Sequence, residues 1–392
     1  MPDLLTILSN LAWPVAICIA WIAGEFGQRL TGLPRISFYG VVGFALAAPQ
    51  IGVLPSSGAG PVLLLADVAF GLILFELGYR FNLRWLPANP WFVVASLAES
   101  LGTFIAVYFT AILFDIGQIT ALMLAALAMA TSPPAVIRVI NELRSSGQVT
   151  ERVLHLAAMN CVLSVFIFNV ILGVWIFHSS NNLGEATLNS LFAMALSALT
   201  GAVFGLLVPA LLRLLGNLAQ DATVGFALAI ILLVSITYTS QLSPVVASLA
   251  FGLTARHRRV AFSQAQRNFG VLGELLTVLL FVFAASTLDW RVVLQGGSLA
   301  VIVVAVRLLT KTVGVTLFSE LSGITWRKGA LTGLALAPMS VFVILLLEHA
   351  RVRGFRLDGE LQAVAGVALL LEIFGPIIIQ RALIWARETP ET

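Results

Sequence analysis

Two cations, Arg307 and Lys311, stand four residues apart inside one apolar run, and an amide and a thiol, Asn160 and Cys161, sit side by side in the middle of another, "HLAAMNCVLSVFIFNV". Residues four apart share a helix face. Two positive charges on one buried face therefore demand counter-charges, and at least one is expected to pair with Glu76, Glu99 or Glu372. Ionisable groups in hydrocarbon are costly and by default functional. A lysine can exchange a proton there, whereas an arginine stays charged. Lys311 is thus the candidate for titration and Arg307 the candidate fixed partner of a carboxylate. Glu76 lies near an interface and is open to solvation, while Glu99 and Glu274 read first as helix-packing partners. Glu372, in "LLLEIFGP", is central in its run and harder to assign to packing. His155, His178, His257 and His349 fall at or near the ends of apolar runs, without metal-ligand spacing, and are expected at interfaces. No phosphate loop, Ser-His-Asp set or zinc pattern is present, so neither an enzyme nor a cofactor is indicated.

The elements that hold these groups are membrane spans. Of 392 residues, 59% are hydrophobic and 10% charged, against about 25% charged in a soluble domain. On a ruler of about 20 apolar residues per crossing, roughly thirteen all-α spans are expected, at 4–24, 36–54, 61–79, 91–113, 118–140, 151–177, 187–212, 222–240, 243–255, 269–288, 292–318, 329–348 and 361–384. The ninth is short and opens on Ser243-Pro244. No cleaved leader is expected before the first span, and no soluble regulatory domain after the last. Cys18 and Cys161 both lie in apolar runs and form no disulfide framework.

With thirteen spans, one set of loops holds sixteen basic residues and the other holds Arg291, Arg351, Arg353 and Arg356. The positive-inside rule then puts the N-terminus outside and the C-terminus in the cytoplasm of a cell inner membrane, with the Arg351–Arg356 loop the one dissenting feature. This asymmetry accounts for the net charge of +3, and a nucleic-acid partner is excluded.

The fifth and twelfth spans carry breaks at mid-depth, Thr131-Ser132-Pro133-Pro134 and Ala337-Pro338-Met339-Ser340. Proline removes a backbone donor and turns the preceding residue away from helix. Freed backbone groups are tolerated in a membrane only beside protein or a water-filled cavity. The breaks lie seven spans apart, an odd offset, so spans 1–6 (about 4–177) and 8–13 (about 222–384) are expected to be inverted repeats joined by a linking span at about 187–212. Paired broken helices of this kind point to a midplane site in a secondary transporter.

The order of features resembles the monovalent cation/proton antiporter superfamily, in the branch of bacterial sodium/proton and potassium/proton exchangers, over nearly the whole chain. "LPRISFYGVVGFALAAPQIG" resembles its second span, "LILFELGYRFNLRWL" its third, "LAMATSPPAVIRVINELRSSG" its first broken helix and "SQLSPVVASLAFGLTA" its ninth. "VRLLTKTVGVTLFSELSGITWRKGALTGLALAPMSVFVILLL" resembles its basic span and second broken helix. The resemblance implies a homodimer, a core of crossing broken helices that shifts against a dimerisation domain, and a monovalent cation and a proton as substrates. It places Thr131 and Ser132 at the crossing, and Ser340, in the second break, is a further candidate for the ion pathway. It matches Lys311 to the basic residue of electrogenic members, or Arg307 to the arginine that electroneutral members pair with an acid on the third span, here Glu76.

Span 6 departs from that pattern. The family writes Asp-Asp or Asn-Asp there, and the second aspartate is the carboxylate for which cation and proton compete. Here the pair is Asn160-Cys161. A thiol, with an ordinary pKa near 8.5, is neutral at pH 7, and it is a soft ligand where hard cations prefer oxygen. Three expectations follow. The acid has migrated to Glu76 or Glu372, or the site takes an anion or small organic solute, or the protein is a membrane sensor or scaffold without transport.

Overall fold

The computed structural model describes residues 4–54, 61–81, 85–176, 183–214, 222–257, 265–291, 297–339, 343–346 and 360–390. Among them the chain is helical, with no strand. The first half comprises α1 (Leu4–Thr31), α2 (Arg35–Leu46), α3 (Pro61–Arg80), the single turn α4 (Trp85–Ala88), α5 (Pro90–Leu113), α6 (Gln118–Met129), α7 (Pro133–Leu143) and α8 (Gln148–Ile176). It continues through α9 (Leu183–Leu214), α10 (Ala222–Thr239), α11 (Pro244–His257), α12 (Ala265–Ser286), α13 (Gly297–Leu317), α14 (Trp326–Ala335) and α15 (Glu360–Trp385), with helix again at 343–346. With α6 and α7 counted as one broken unit, the long helices fall where the thirteen spans are expected. Among the described residues seven stretches are long and apolar enough to cross a bilayer, and shorter apolar helices fill most of the remaining places.

Two elements differ in length from a simple span. α2 stops at Leu46 rather than at 54, with Ala47 extended at its C-cap. Pro49 is the cause, since it disfavours helix in the residues before it. At 12 residues, α2 rises only about 18 Å. α11 is 14 residues long and starts on Pro244, the position where proline's missing N–H is harmless.

Packing follows side-chain size. α11 lies between α3 and α9, while α5 packs on α13 and α13 on α14. α3 and α11 approach so closely that a Cβ on Gly252 would sit 2.1 Å from the Phe75 carbonyl oxygen, and one on Gly78 would sit 2.3 Å from that of Leu249. Small residues of this kind let membrane helices meet backbone to backbone. Gly252→Ala is therefore expected to lower stability by about 1–3 kcal/mol, the range for overpacking. Thermal melting of the purified protein checks this against Gly102→Ala, where an added Cβ meets nothing within 4 Å. Equal melting of the two variants would sink the expectation.

Candidate functional site

The two breaks meet. α6 ends at Met129 with Ala130 extended, and Ser132 caps α7 through its hydroxyl, which accepts from Ala135 N at 3.4 Å. Pro133 and Pro134 occupy the first positions of α7, where missing donors are harmless. The second break follows α14 at Leu336 and runs through Pro338. Ser132 N donates to the Pro338 carbonyl at 3.0 Å, and Thr131 Oγ1 donates to the Leu336 carbonyl at 3.5 Å. The interrupted segments thus join each other through main chain. Ser340 and the Arg351–Arg356 loop lie outside the described residues.

A broken helix leaves carbonyls at its C-terminal end without intrahelical partners, and that end carries partial negative charge. α13 delivers two cations to this place, and both are fully buried. Arg307 Nε donates to Ala128 O at 2.8 Å and Nη2 to Ala130 O at 2.7 Å, while Nη1 donates to Ala337 O and Nη2 also reaches Pro338 O at 3.4 Å. One planar guanidinium therefore ties the end of α6 to the second break. Lys311 Nζ donates to Met129 O at 2.9 Å and to Glu99 Oε2 at 2.8 Å. The Lys311–Glu99 ion pair is completely removed from solvent.

Asn160 stands next to this pair. Its Nδ2 donates to Thr131 Oγ1 at 3.1 Å, and its Oδ1 accepts from Ser100 Oγ at 2.8 Å. Ser100 follows Glu99 directly. Cys161 is fully buried, and its Sγ donates to the Thr131 carbonyl at 3.3 Å. α5, α6, α8 and α13 thus bring Glu99, Ser100, Thr131, Asn160, Cys161 and Lys311 into one cluster. The second carboxylate oxygen, Glu99 Oε1, is buried without a hydrogen-bond partner among the described residues. Buried polar atoms are rarely left so, and such an exception calls for a ligand, a water or strain.

The expected partners divide. The counter-charge for Lys311 is Glu99, one of the three carboxylates expected and the one first assigned to packing. Its signal was available in the sequence: span 4 stands seven before span 11, so an acid and a base occupy corresponding spans. The pairing of Arg307 with Glu76 is corrected, because Arg307 spends its donors on carbonyls. Glu76 instead accepts from Arg80 Nη2 at 2.7 Å, and Arg80 also donates to Asn141 Oδ1 at 2.9 Å. Glu372 is buried, with Oε1 lacking a hydrogen-bond partner among the described residues, and it forms no ion pair there. His155, expected near an interface, is covered by protein, with the Phe81 and Trp85 rings 4.6 and 5.0 Å from its own. No group of three metal-ligating side chains occurs among the described residues.

Comparison with known proteins agrees with this fold. No curated protein matches the chain. Two structures of the sodium/proton antiporter MjNhaP1 from Methanocaldococcus jannaschii are similar in fold. The first, at pH 8, has a TM-score of 0.70 and 15% identity, covering 97% of each chain. The second, an electron-microscopy map, has a TM-score of 0.69 and 16% identity, covering 98% of this chain and 95% of that one. The family model described as "Sodium/hydrogen exchanger, transmembrane" matches residues 15–385. This multi-pass membrane protein belongs to the sodium/hydrogen exchanger family.

Proposed function

We propose that the protein exchanges a monovalent cation, sodium or potassium, for a proton, with Glu99 serving as the carboxylate that Cys161 does not supply. The observation that carries this reading is the Glu99–Lys311 ion pair, buried beside Asn160 at the crossing of the broken helices. The charge balance is simple. In one form Lys311, as an ammonium, neutralises Glu99. When a cation comes to the Glu99 carboxylate, Lys311 gives up one proton and becomes a neutral amine. The site carries the same charge in both forms, so one cation replaces one proton. Glu99 Oε1, Asn160 Oδ1 and the Thr131 and Ser100 hydroxyls supply hard oxygen donors of the kind such cations prefer. Arg307 does not titrate in this scheme and holds the crossing together.

An anionic or organic solute is disfavoured by the same geometry, since the donors of Arg307 and Lys311 already serve carbonyls and Glu99. The rest of the reading is the inverted pair of repeats at about 4–177 and 222–384 linked by 187–212, a homodimer, and an N-terminus outside with a cytoplasmic C-terminus. The repeats are supported by the seven-span offset of the breaks and the orientation by the distribution of basic residues, while the homodimer rests on the family resemblance alone.

Proteoliposomes with an entrapped pH dye provide the test. Pulses of sodium, potassium or lithium are expected to drive proton flux through the native chain. Flux that appears only in Cys161→Asp would place the exchanging acid on α8 and defeat the assignment to Glu99. Silence from both proteins at every pH would defeat antiport itself.

A further inference from the structure

Away from the ion cluster, a cavity of about 310 Å³ opens between α3, α5, α8 and α11, and every side chain lining it is apolar or absent. Two of its walls change character in the same way along their length. On α11, Val246, Leu249 and Leu253 line the cavity, and the next position on that stripe is Arg256. On α8, Val162 and Met159 line it, and the next positions on that stripe are His155 and Arg152. Both stripes step by three, four and three residues, the spacing of one helix face. The helices run antiparallel, so the two cationic ends lie toward one side of the membrane. A ring contact joins them to the cavity wall: Phe81, itself a lining residue, packs at a tilt against His155 with ring centroids 4.6 Å apart.

Among the described residues neither Arg152 nor Arg256 forms an ion pair with a carboxylate. Arg152 is buried, donates to Ser322 and lies 5.4 Å from the Trp85 ring centroid. Arg256 is partly exposed and donates to the Arg80 carbonyl at 2.7 Å. An aliphatic slot that ends in positive charge is complementary to an amphiphile with an alkyl tail and an anionic head. From Val246 to Arg256 the helix rises about 15 Å, half of a hydrocarbon core of about 30 Å, which matches the reach of one leaflet. The absence of polar lining excludes the slot as an ion path.

We propose that this slot binds one acyl chain of an anionic phospholipid, with the phosphate at Arg256 and with Arg152 contributing to the positive field. Basic pockets between membrane helices are an established way to hold such head groups. The chain would lie along the α8 face formed by Met159 and Val162, adjacent in sequence to Asn160 and Cys161. The bound lipid would therefore brace the ion-site helix against α3 and α11.

Native mass spectrometry of the full chain, exchanged into detergent and supplied with phosphatidylglycerol or phosphatidylethanolamine, tests this without any transport measurement. The native protein is expected to retain one phosphatidylglycerol per chain in preference to phosphatidylethanolamine. Arg256→Gln is expected to lower that retention about fivefold, as removal of one cation near a membrane surface implies. Ala250→Phe, which fills the slot, is expected to abolish retention of both lipids, and the smaller Ala250→Leu to reduce it if the first variant fails to fold. The proposal is overturned if the native chain retains no lipid, if detergent or phosphatidylethanolamine is held as firmly as phosphatidylglycerol, or if the folded Ala250 variants retain lipid unchanged.

Discussion

Glu99→Gln is expected to abolish cation-driven proton flux and to destabilise the protein by about 3–5 kcal/mol, the range for breaking a buried ion pair by removing one partner. The amide keeps the shape and one acceptor but leaves the Lys311 ammonium without its counter-charge in an enclosed site. Lys311→Met is expected to do the converse, stranding the carboxylate. The double variant Glu99→Gln/Lys311→Met separates the two roles. Replacement of a whole buried pair by uncharged groups is often neutral or stabilising, so its melting temperature should return toward the native value. Flux should not return, because no group remains to trade a proton for a cation. Thermal melting and cation pulses in proteoliposomes read the two outcomes separately. Flux surviving in Glu99→Gln would remove Glu99 from the mechanism, and the buried Glu372 would become the carboxylate to substitute next.

The fold was largely legible because membrane spans and proline breaks are written locally. Thr131-Ser132-Pro133-Pro134 forces an interruption wherever it stands, and the resulting carbonyls must find donors nearby. Arg307 and Lys311 were legible as costly charges for the same reason. What composition and spacing did not supply was which partner each would take. The pairing with Glu76 came from the family resemblance, whereas four carbonyl oxygens at two breaks take four of the five guanidinium donors. Glu99 was assigned to packing because no motif marks it. Only the tertiary approach of α5 to α13 makes it the partner of Lys311, although the seven-span offset pairs those spans. That protein would cover His155 was not legible, because only the fold brings Trp85 of α4 over it. The cysteine in place of the acid was legible as a departure, and its consequence depended on what else reached the same spot.

The second large effect belongs to Arg307, and it distinguishes charge from shape. Arg307→Lys keeps the positive charge at the crossing. A lysine offers three donors from a single atom, whereas the native fork spreads its donors between the Ala128 and Ala130 carbonyls of one break and the Ala337 and Pro338 carbonyls of the other. One Nζ cannot span both sets, so at least one pair of buried acceptors is left unmade, at about 1–3 kcal/mol for each. Arg307→Met strands all four and is expected to be the more damaging. The Ser132 amide, which donates to Pro338 across the crossing, reports the result directly. Its hydrogen exchange should accelerate in Arg307→Lys and more so in Arg307→Met, while amides in the distant α9 stay protected. If Arg307→Lys exchanges and transports like the native protein, positive charge alone is what the crossing needs. If it fails as the methionine variant fails, the planar fork joins the two broken helices, and the residue family resemblance would pair with an acid instead works here as a main-chain clamp.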